Sequence, residues 1–249
     1  MSSDHILVSR AGAVLEIRFN RPDKKNAVTN SMYGAMADAL EAAARDDSVR
    51  VVLFTATGDY YTAGNDLKDF AAQSSGAFEG ARHVGRFLER LINAEKPLVA
   101  AVQGHAVGVG TTMLLHCDLV YIAEHAKLTT PFVDLGLVPE NASSLTLVDR
   151  LGHARAFAML GLGEPLGGRD AAACGFVNAA LPGPEVEPRA RAAAATLAQK
   201  PPEALKLTKG LMRDREALLA RMRVEGEVFA DRLRSPEAAA AFAAFLGKR

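Results

Sequence analysis

Lys96-Pro97-Leu98-Val99-Ala100-Ala101-Val102-Gln103-Gly104-His105-Ala106-Val107-Gly108-Val109-Gly110 decides the fold class. Its first half, 97–102, is an unbroken apolar run, the pattern of a strand covered on both faces. Its second half is a glycine-bearing loop that opens a helix through Thr112 and Leu115. A buried strand, a glycine loop and a helix in that order make the repeating unit of a parallel α/β sheet, where ligands bind at the carboxyl ends of the strands.

The same alternation extends outward. Short strands are expected at 6–10 and 14–19 around Ala11-Gly12, a helix at 30–45 capped by Asn30 or Ser31, and a buried strand at 49–55. A loop at 57–66 leads into a short helix at Leu67-Lys68-Asp69-Phe70, and a longer helix follows from Phe78 to Ala94. Strands recur at 119–123 and 127–129. Beyond about residue 150 the pattern is helical, with helices at 143–151, 153–162, 168–174, 188–198, 204–212, 216–233 and 236–246. The expected division is an α/β core over 1–190 and a helical region over 191–249 whose amphipathic helices pack on the core or a neighbouring subunit.

Composition narrows the function. Lys plus Arg equals Asp plus Glu at 29 each in 249 residues, which leaves no electrostatic case for nucleic acid or an anionic membrane. Nearly half the residues are hydrophobic, at 49%, yet no apolar run approaches a membrane span. Cys117 and Cys174 stand apart in apolar surroundings, so reduced thiols are expected rather than a disulfide or metal site, and with them a cytoplasmic location. No signal peptide is read at Met1-Ser2-Ser3-Asp4-His5. His105 and His116 lack ligand-spaced partners, so no metal is expected.

Chemistry concentrates in three loops. Thr130-Pro131-Phe132-Val133-Asp134-Leu135-Gly136-Leu137-Val138-Pro139-Glu140-Asn141 places one carboxylate behind apolar residues at a helix start. Two readings of Glu140 stand side by side: a general base with a pKa raised by desolvation, or an acid favoured by the helix dipole. Around Gly108 and Gly110, Val109 sits where a helix N-terminus presents a free N–H, and Ala63-Gly64-Asn65 offers a second such loop. Two convergent N–H groups make an oxyanion hole. Neither loop carries a phosphate fingerprint, and no Gly-x-Ser-x-Gly elbow exists. Asp66 reads as the cap of the helix that follows it.

Arg21-Pro22-Asp23-Lys24-Lys25-Asn26-Ala27, Thr62-Ala63-Gly64-Asn65-Asp66-Leu67, Lys96 to Gly104, His116-Cys117-Asp118 and Leu135-Gly136-Leu137-Val138-Pro139 together resemble the enoyl-CoA hydratase/isomerase (crotonase) superfamily over essentially the whole chain. The resemblance implies a crotonase-like ββα spiral core, a C-terminal helical trimerisation region, assembly as a homotrimer or hexamer, and acyl-CoA ligands. The coenzyme A thioester is the substrate, and no further cofactor is implied. It also puts the oxyanion hole on the backbone N–H groups of Ala63 and Val109. The CoA site falls on Ala63, Gly64, Asn65, Asp66, Leu67, Gly108 and Val109, with Lys24 either meeting a phosphate or remaining a solvated loop lysine.

Departures from the hydratase pattern imply the reaction. Two positions that carry glutamates in hydratases of the family hold Thr112 and Phe132 here, and Glu140 stands where they usually have glycine. That arrangement is similar to the peroxisomal-type Δ3,Δ2-enoyl-CoA isomerases, in which one carboxylate serves both C2 and C4. An enoyl-CoA hydratase, a dienoyl-CoA isomerase or another crotonase-type reaction is the alternative on the same fold. A dehalogenase fits poorly, since the chain has no Trp. A non-catalytic acyl-CoA-binding protein is the alternative from another class.

Overall fold

The computed structural model describes residues 4–67, 69 and 80–246. The short helix expected at 67–70 lies partly outside them, as does the Phe78 start of the next helix, which among the described residues begins only at Val84. A hairpin opens the chain: β1 (Ile6–Ala11) pairs antiparallel with β2 (Val14–Phe19). Helix α1 (Asn30–Arg45) follows, then β3 (Val51–Ala56) and β4 (Tyr60–Thr62). After α2 (Val84–Asn93) come β5 (Leu98–Val102), β6 (His105–Val107) and the short α3 (Val109–Thr112). A 3-10 turn at Met113–His116 leads to β7 (Leu119–Ala123) and β8 (Lys127–Thr129).

These strands sort into two sheets. The six-stranded sheet runs β1-β2-β3-β5-β7-β10, parallel beyond the opening hairpin, and the four-stranded sheet runs β4-β6-β8-β9. Each ββ unit gives its first strand to the larger sheet and its second to the smaller, so β3/β4, β5/β6 and β7/β8 are successive turns of a spiral. The larger sheet carries the core: β3 and β5 are buried along their whole lengths. The continuous apolar runs reflect this, since both faces of each strand are covered.

The remaining elements are α4 (Ser143–Leu151), α5 (His153–Leu162), β9 (Leu166–Gly167), α6 (Gly168–Ala173), β10 (Ala179–Leu181), α7 (Gly183–Ala198), α8 (Pro202–Leu211), α9 (Arg215–Leu233) and α10 (Pro236–Leu246). Helix α7 starts five residues earlier than the sequence pattern suggested, and the division expected at residue 190 falls inside it. It packs on β3, β5 and β7. Arg191 on this helix bonds Glu16 of β2 at 2.8 and 2.9 Å, and Thr55 of β3 bonds the same carboxylate at 2.6 Å.

The C-terminal helices are tied back to the core by a buried lysine. Lys209 on α8 donates to Asp118 Oδ2 at 2.7 Å and to the Lys96 carbonyl at 2.9 Å, and the same Asp118 oxygen accepts the Leu98 N–H at 2.7 Å. Asp118 thus fixes the start of β5 and docks α8 together.

The sequence reading missed β9 and β10, in the stretch beyond residue 150 that read as helical, and it missed β4 and β6. Both are three residues long and lie in stretches whose glycines read as loop. Their pairing needs those glycines: a Cβ on Gly104 would stand 1.8 Å from the Asp59 carbonyl oxygen, and one on Gly110 would stand 2.4 Å from Thr62 Cγ2. The cap of α1 also moves by one residue. Thr29 accepts the Met32 N–H at 3.4 Å, while Asn30 instead accepts the His83 N–H at 2.9 Å and donates to the Ala81 carbonyl at 3.0 Å.

Gly104→Ala is expected to force β4 and β6 apart and to lower stability by about 3 kcal/mol, in the overpacking range, measured by urea denaturation.

Candidate active site

Strands β4 and β6 are paired in parallel, Thr62 opposite Ala106, so the loops leaving them lie side by side. A Cβ on Gly64, which sits at φ +81, would come within 2.8 Å of the Val107 carbonyl oxygen. The chain then turns at Gly108, φ +55, whose N–H donates to the Thr129 carbonyl at 2.9 Å, and enters α3 at Val109. As the first residue of α3, Val109 has an N–H with no partner among the described residues. A helix start leaves such donors unpaired.

The second donor is not where the sequence placed it. The Ala63 N–H is bonded to the Lys25 carbonyl at 2.9 Å and cannot serve an oxyanion. The cause is the 21–28 segment, which covers the outer edge of β4. Asn26 there is fully buried, its Nδ2 donating to the carbonyls of Thr57 and Tyr60 at 2.9 and 2.8 Å, and Thr62 Oγ1 donates back to the Asn26 carbonyl at 2.6 Å. Further along, Gly64 N–H goes to Thr62 Oγ1 at 3.1 Å and Asp66 N–H to the Val28 carbonyl at 2.9 Å. Of the four amides 63–66, the one with no partner among the described residues belongs to Asn65. Its side chain is held as well: Tyr33 on α1 donates its hydroxyl to Asn65 Oδ1 at 2.5 Å.

Glu140 sits in the turn before α4, half-buried and off the helix. Thr112 at the end of α3 donates its hydroxyl to Glu140 Oε1 at 2.6 Å, so the carboxylate lies one helical turn from the Val109 amide. Burial lifts its pKa from the ordinary 4.5 to about 7; the Thr112 hydrogen bond pulls the other way and the nearby charge of Glu225 adds to the rise. Burial also holds the Tyr33 phenol well above its ordinary value, with the Glu140 charge contributing.

A helix-capping role for Glu140 is not what the geometry shows. Asn141 and Ala142 separate it from α4 in left-handed conformations, φ 62 and 56, and no side chain of that loop caps the helix. The Ser144 N–H is capped instead by Glu225 from α9 at 2.9 Å. On the other side of the turn, the Asn141 carbonyl accepts His116 Nε2–H at 2.8 Å, and His116 Nδ1 accepts from Arg213 at 2.8 Å. Burial and the Arg213 charge push His116 down to about 3, so it is a neutral structural strut.

The apolar wall expected before Glu140 is present. Phe132 and Leu137 are buried against Ala238 and Phe242 of α10, with Leu67 packed alongside. Gly136 meets α10 so closely that a Cβ there would stand 2.7 Å from the Ala238 nitrogen. Asp66 bonds Arg21 at 2.7 Å and accepts the Asp69 N–H at 3.4 Å, a capping geometry. Lys24 ends the 3-10 turn Pro22–Lys24 and is exposed. Among the described residues no cluster of three His, Cys, Asp or Glu could hold a metal.

Two residues of this site escaped the sequence reading. Tyr33 lies on the buried face of α1 between Met32 and Met36, and a tyrosine at such a position needs a partner for its hydroxyl. Glu225 shares the inward face of α9 with Leu218 and Met222, a carboxylate at an apolar position of a helical stripe. Each was legible as an exception to its own pattern.

A family model described as enoyl-CoA hydratase/isomerase matches residues 9–249. Enoyl-CoA delta isomerase 2 of Rattus norvegicus is 41% identical over 218 residues, covering 86% of this chain and 56% of that protein. Enoyl-CoA delta isomerase 2 of Homo sapiens is 36% identical over 251 residues, covering 98% of this chain and 64% of that protein. The chain therefore spans less than two thirds of the length of these two relatives. The structure of OdaA from Pseudomonas aeruginosa superposes with a TM-score of 0.93 at 47% identity, covering 98% of this chain and 99% of that one.

Because Glu140 titrates higher in the folded than in the unfolded chain, ionising it above about pH 7 costs folding free energy. Glu140→Gln is thus expected to be more stable than wild type at pH 8 by about 1–3 kcal/mol. The advantage fades as pH falls toward 4.5, where the carboxyl is neutral in both states; thermal melts of both proteins across this range check it.

Proposed function

This chain belongs to the enoyl-CoA hydratase/isomerase family, and we propose that within it the chain acts as a Δ3,Δ2-enoyl-CoA isomerase with Glu140 as its one acid/base. The observation that carries this reading is the position and state of Glu140: a carboxylate raised to about 7 by burial, one hydrogen bond from the helix whose first N–H has no partner among the described residues. A base poised near neutrality both takes and returns a proton at working pH.

The chemistry follows from the geometry. Glu140 carboxylate removes a proton from C2 of a 3-enoyl-CoA. The electron pair moves onto the thioester oxygen, giving a dienolate, and the amides of Asn65 and Val109 donate to that oxygen. Collapse of the oxyanion shifts the double bond to C2–C3 while C4 takes the proton from Glu140, which regenerates the carboxylate. Nothing is consumed and no second base is needed. Donors of this kind are each worth about 10²–10³ in rate.

Two replacements support isomerisation over hydration. Thr112 stands where hydratases of the family carry a glutamate, and here it holds Glu140 rather than a water. Phe132 stands where they carry the other, and it is buried in the apolar wall with Leu137 and Phe242. A dry wall favours proton transfer between carbons over addition of water.

The acyl-CoA substrate then lies with its thioester between Asn65 and Val109. Leu67 lines its apolar side, and exposed Lys24 is placed to meet a phosphate at the nucleotide end. Gly64 and Gly108 allow the close backbone approach. The same reading makes the protein a cytoplasmic homotrimer or hexamer. The unpaired thiols of Cys117 and Cys174, and the exposure of Leu211 and Met212 at the end of α8, support those two parts of it.

Glu140→Gln is expected to lower kcat on a 3-enoyl-CoA by about 10³-fold or more; turnover near wild type would remove Glu140 from the reaction. In wild type, kcat/KM should fall on the acid side with a limb near pH 7, because the protonated carboxyl cannot accept the C2 proton. Val109→Pro removes one oxyanion N–H at a helix position that tolerates proline. With the fold intact by circular dichroism, its kcat should drop by about 10²–10³-fold.

A further inference from the structure

Glu225 is a buried acid that the isomerisation does not use. It projects from α9, in the C-terminal helical region, with 7% of its surface exposed. Its Oε1 accepts the Ser144 N–H at 2.9 Å, and its Oε2 is buried without a hydrogen-bond partner among the described residues. A carboxylate half-satisfied in the interior is destabilising unless its position does something else.

Its position is at the turn that carries Glu140. Asn141 and Ala142 both take left-handed backbone conformations, and for alanine that conformation is strained. No side chain of the loop itself caps α4, so the first turn of that helix relies on an acceptor supplied from elsewhere in the chain. Glu225 is that acceptor. Across the turn, His116 donates to the Asn141 carbonyl and is itself held by Arg213. The strained turn is thus held from both ends by groups outside it.

We propose that Glu225 is a positioning residue for the base: anchored on the Ser144 N–H, it fixes the left-handed Asn141–Ala142 turn that sets Glu140 against Thr112, and it keeps a second carboxylate charge beside the first. This inference rests on the reading of Glu140 as the base. It assigns to the C-terminal helices a share in the chemistry, since the protonation of the base depends on a side chain that α9 delivers.

The groups facing the two carboxylates define what a titration reports. Around Glu140 these are the Thr112 hydroxyl from α3, the Tyr33 phenol from α1 and Glu225 from α9. Around Glu225 they are the Ser144 amide and hydroxyl from α4, the Ala142 amide from the turn, the charge of Arg221 one turn away on α9 itself, and Glu140. Burial raises Glu225, while hydrogen bonds from Ser144 pull it down. The neutral His116 and the Arg213 cation lie behind Asn141. With two carboxylates this close, the acid limb of the rate profile belongs to the pair.

Three variants test this on the full-length protein, assayed as kcat and KM against pH with a 3-enoyl-CoA. Glu225→Gln keeps an acceptor for Ser144 and removes the charge. Its acid limb should move to lower pH, since Glu140 no longer ionises beside a negative neighbour. Glu225→Ala also removes the acceptor, and should lower kcat by about ten- to a hundred-fold through misplacement of the base, with KM within about twofold of wild type. If the alanine variant does not fold, the glutamine limb decides alone. An acid limb unmoved in Glu225→Gln overturns the proposal, as does an alanine variant that loses only thermal stability. Glu140→Gln runs in parallel. Its inactivity with an unmoved Glu225→Gln limb counts against Glu225 alone, whereas its full activity overturns the base assignment and this inference with it.

Discussion

Removing water from Glu140 is what the rest of the structure depends on. A carboxylate in solution is too weak a base to hold a proton near neutrality; desolvation is the largest influence on this one and lifts it to about 7. Three separate parts of the chain meet at the stretch that carries it. The Phe132–Leu137 loop supplies apolar surface, α10 closes on that loop at Gly136, and Thr112 gives the ionised oxygen a single hydrogen bond in place of a hydration shell. The late helices are therefore part of the site as well as of the packing, and Lys209 holds them to the core through Asp118.

Hydrogen-bond accounting at the edge of β4 does the complementary work. An exposed strand edge presents amides in a row, and the 21–28 segment takes up those of Ala63 and Asp66. What it leaves without a partner among the described residues is the amide of Asn65, and α3 begins with a second such amide at Val109. Two unpaired backbone donors beside a raised carboxylate form an arrangement suited to stabilising an enolate and moving its proton. Glycine is required at Gly64 and Gly104 because backbones approach too closely there for any side chain.

Much of this was legible in the residues. The continuous apolar run at 97–102 and its counterpart at 49–55 gave buried parallel strands, and the helical spacing in 30–45 gave α1 with its observed bounds. The missed strands were all too short for alternation to register, and the glycines beside β4 and β6 belong to strand pairing and not to turns. The open amide was expected two residues earlier, at Ala63, for a related reason. In Ala63-Gly64-Asn65 every residue offers an amide, and only the partner segment decides which is consumed. Glu225 was hidden by distance, since no local pattern joins residues 144 and 225 until the chain folds.

Titration of Glu140 in the folded protein tests the central claim most directly. Carbon-13 NMR on protein labelled at the glutamate side-chain carboxyls, compared with Glu140→Gln, identifies the one resonance that the variant lacks. The account predicts a midpoint near pH 7 for that carboxyl. A midpoint at the ordinary 4.5 would mean that water reaches Glu140 freely, and the account of it as a desolvated base would be wrong.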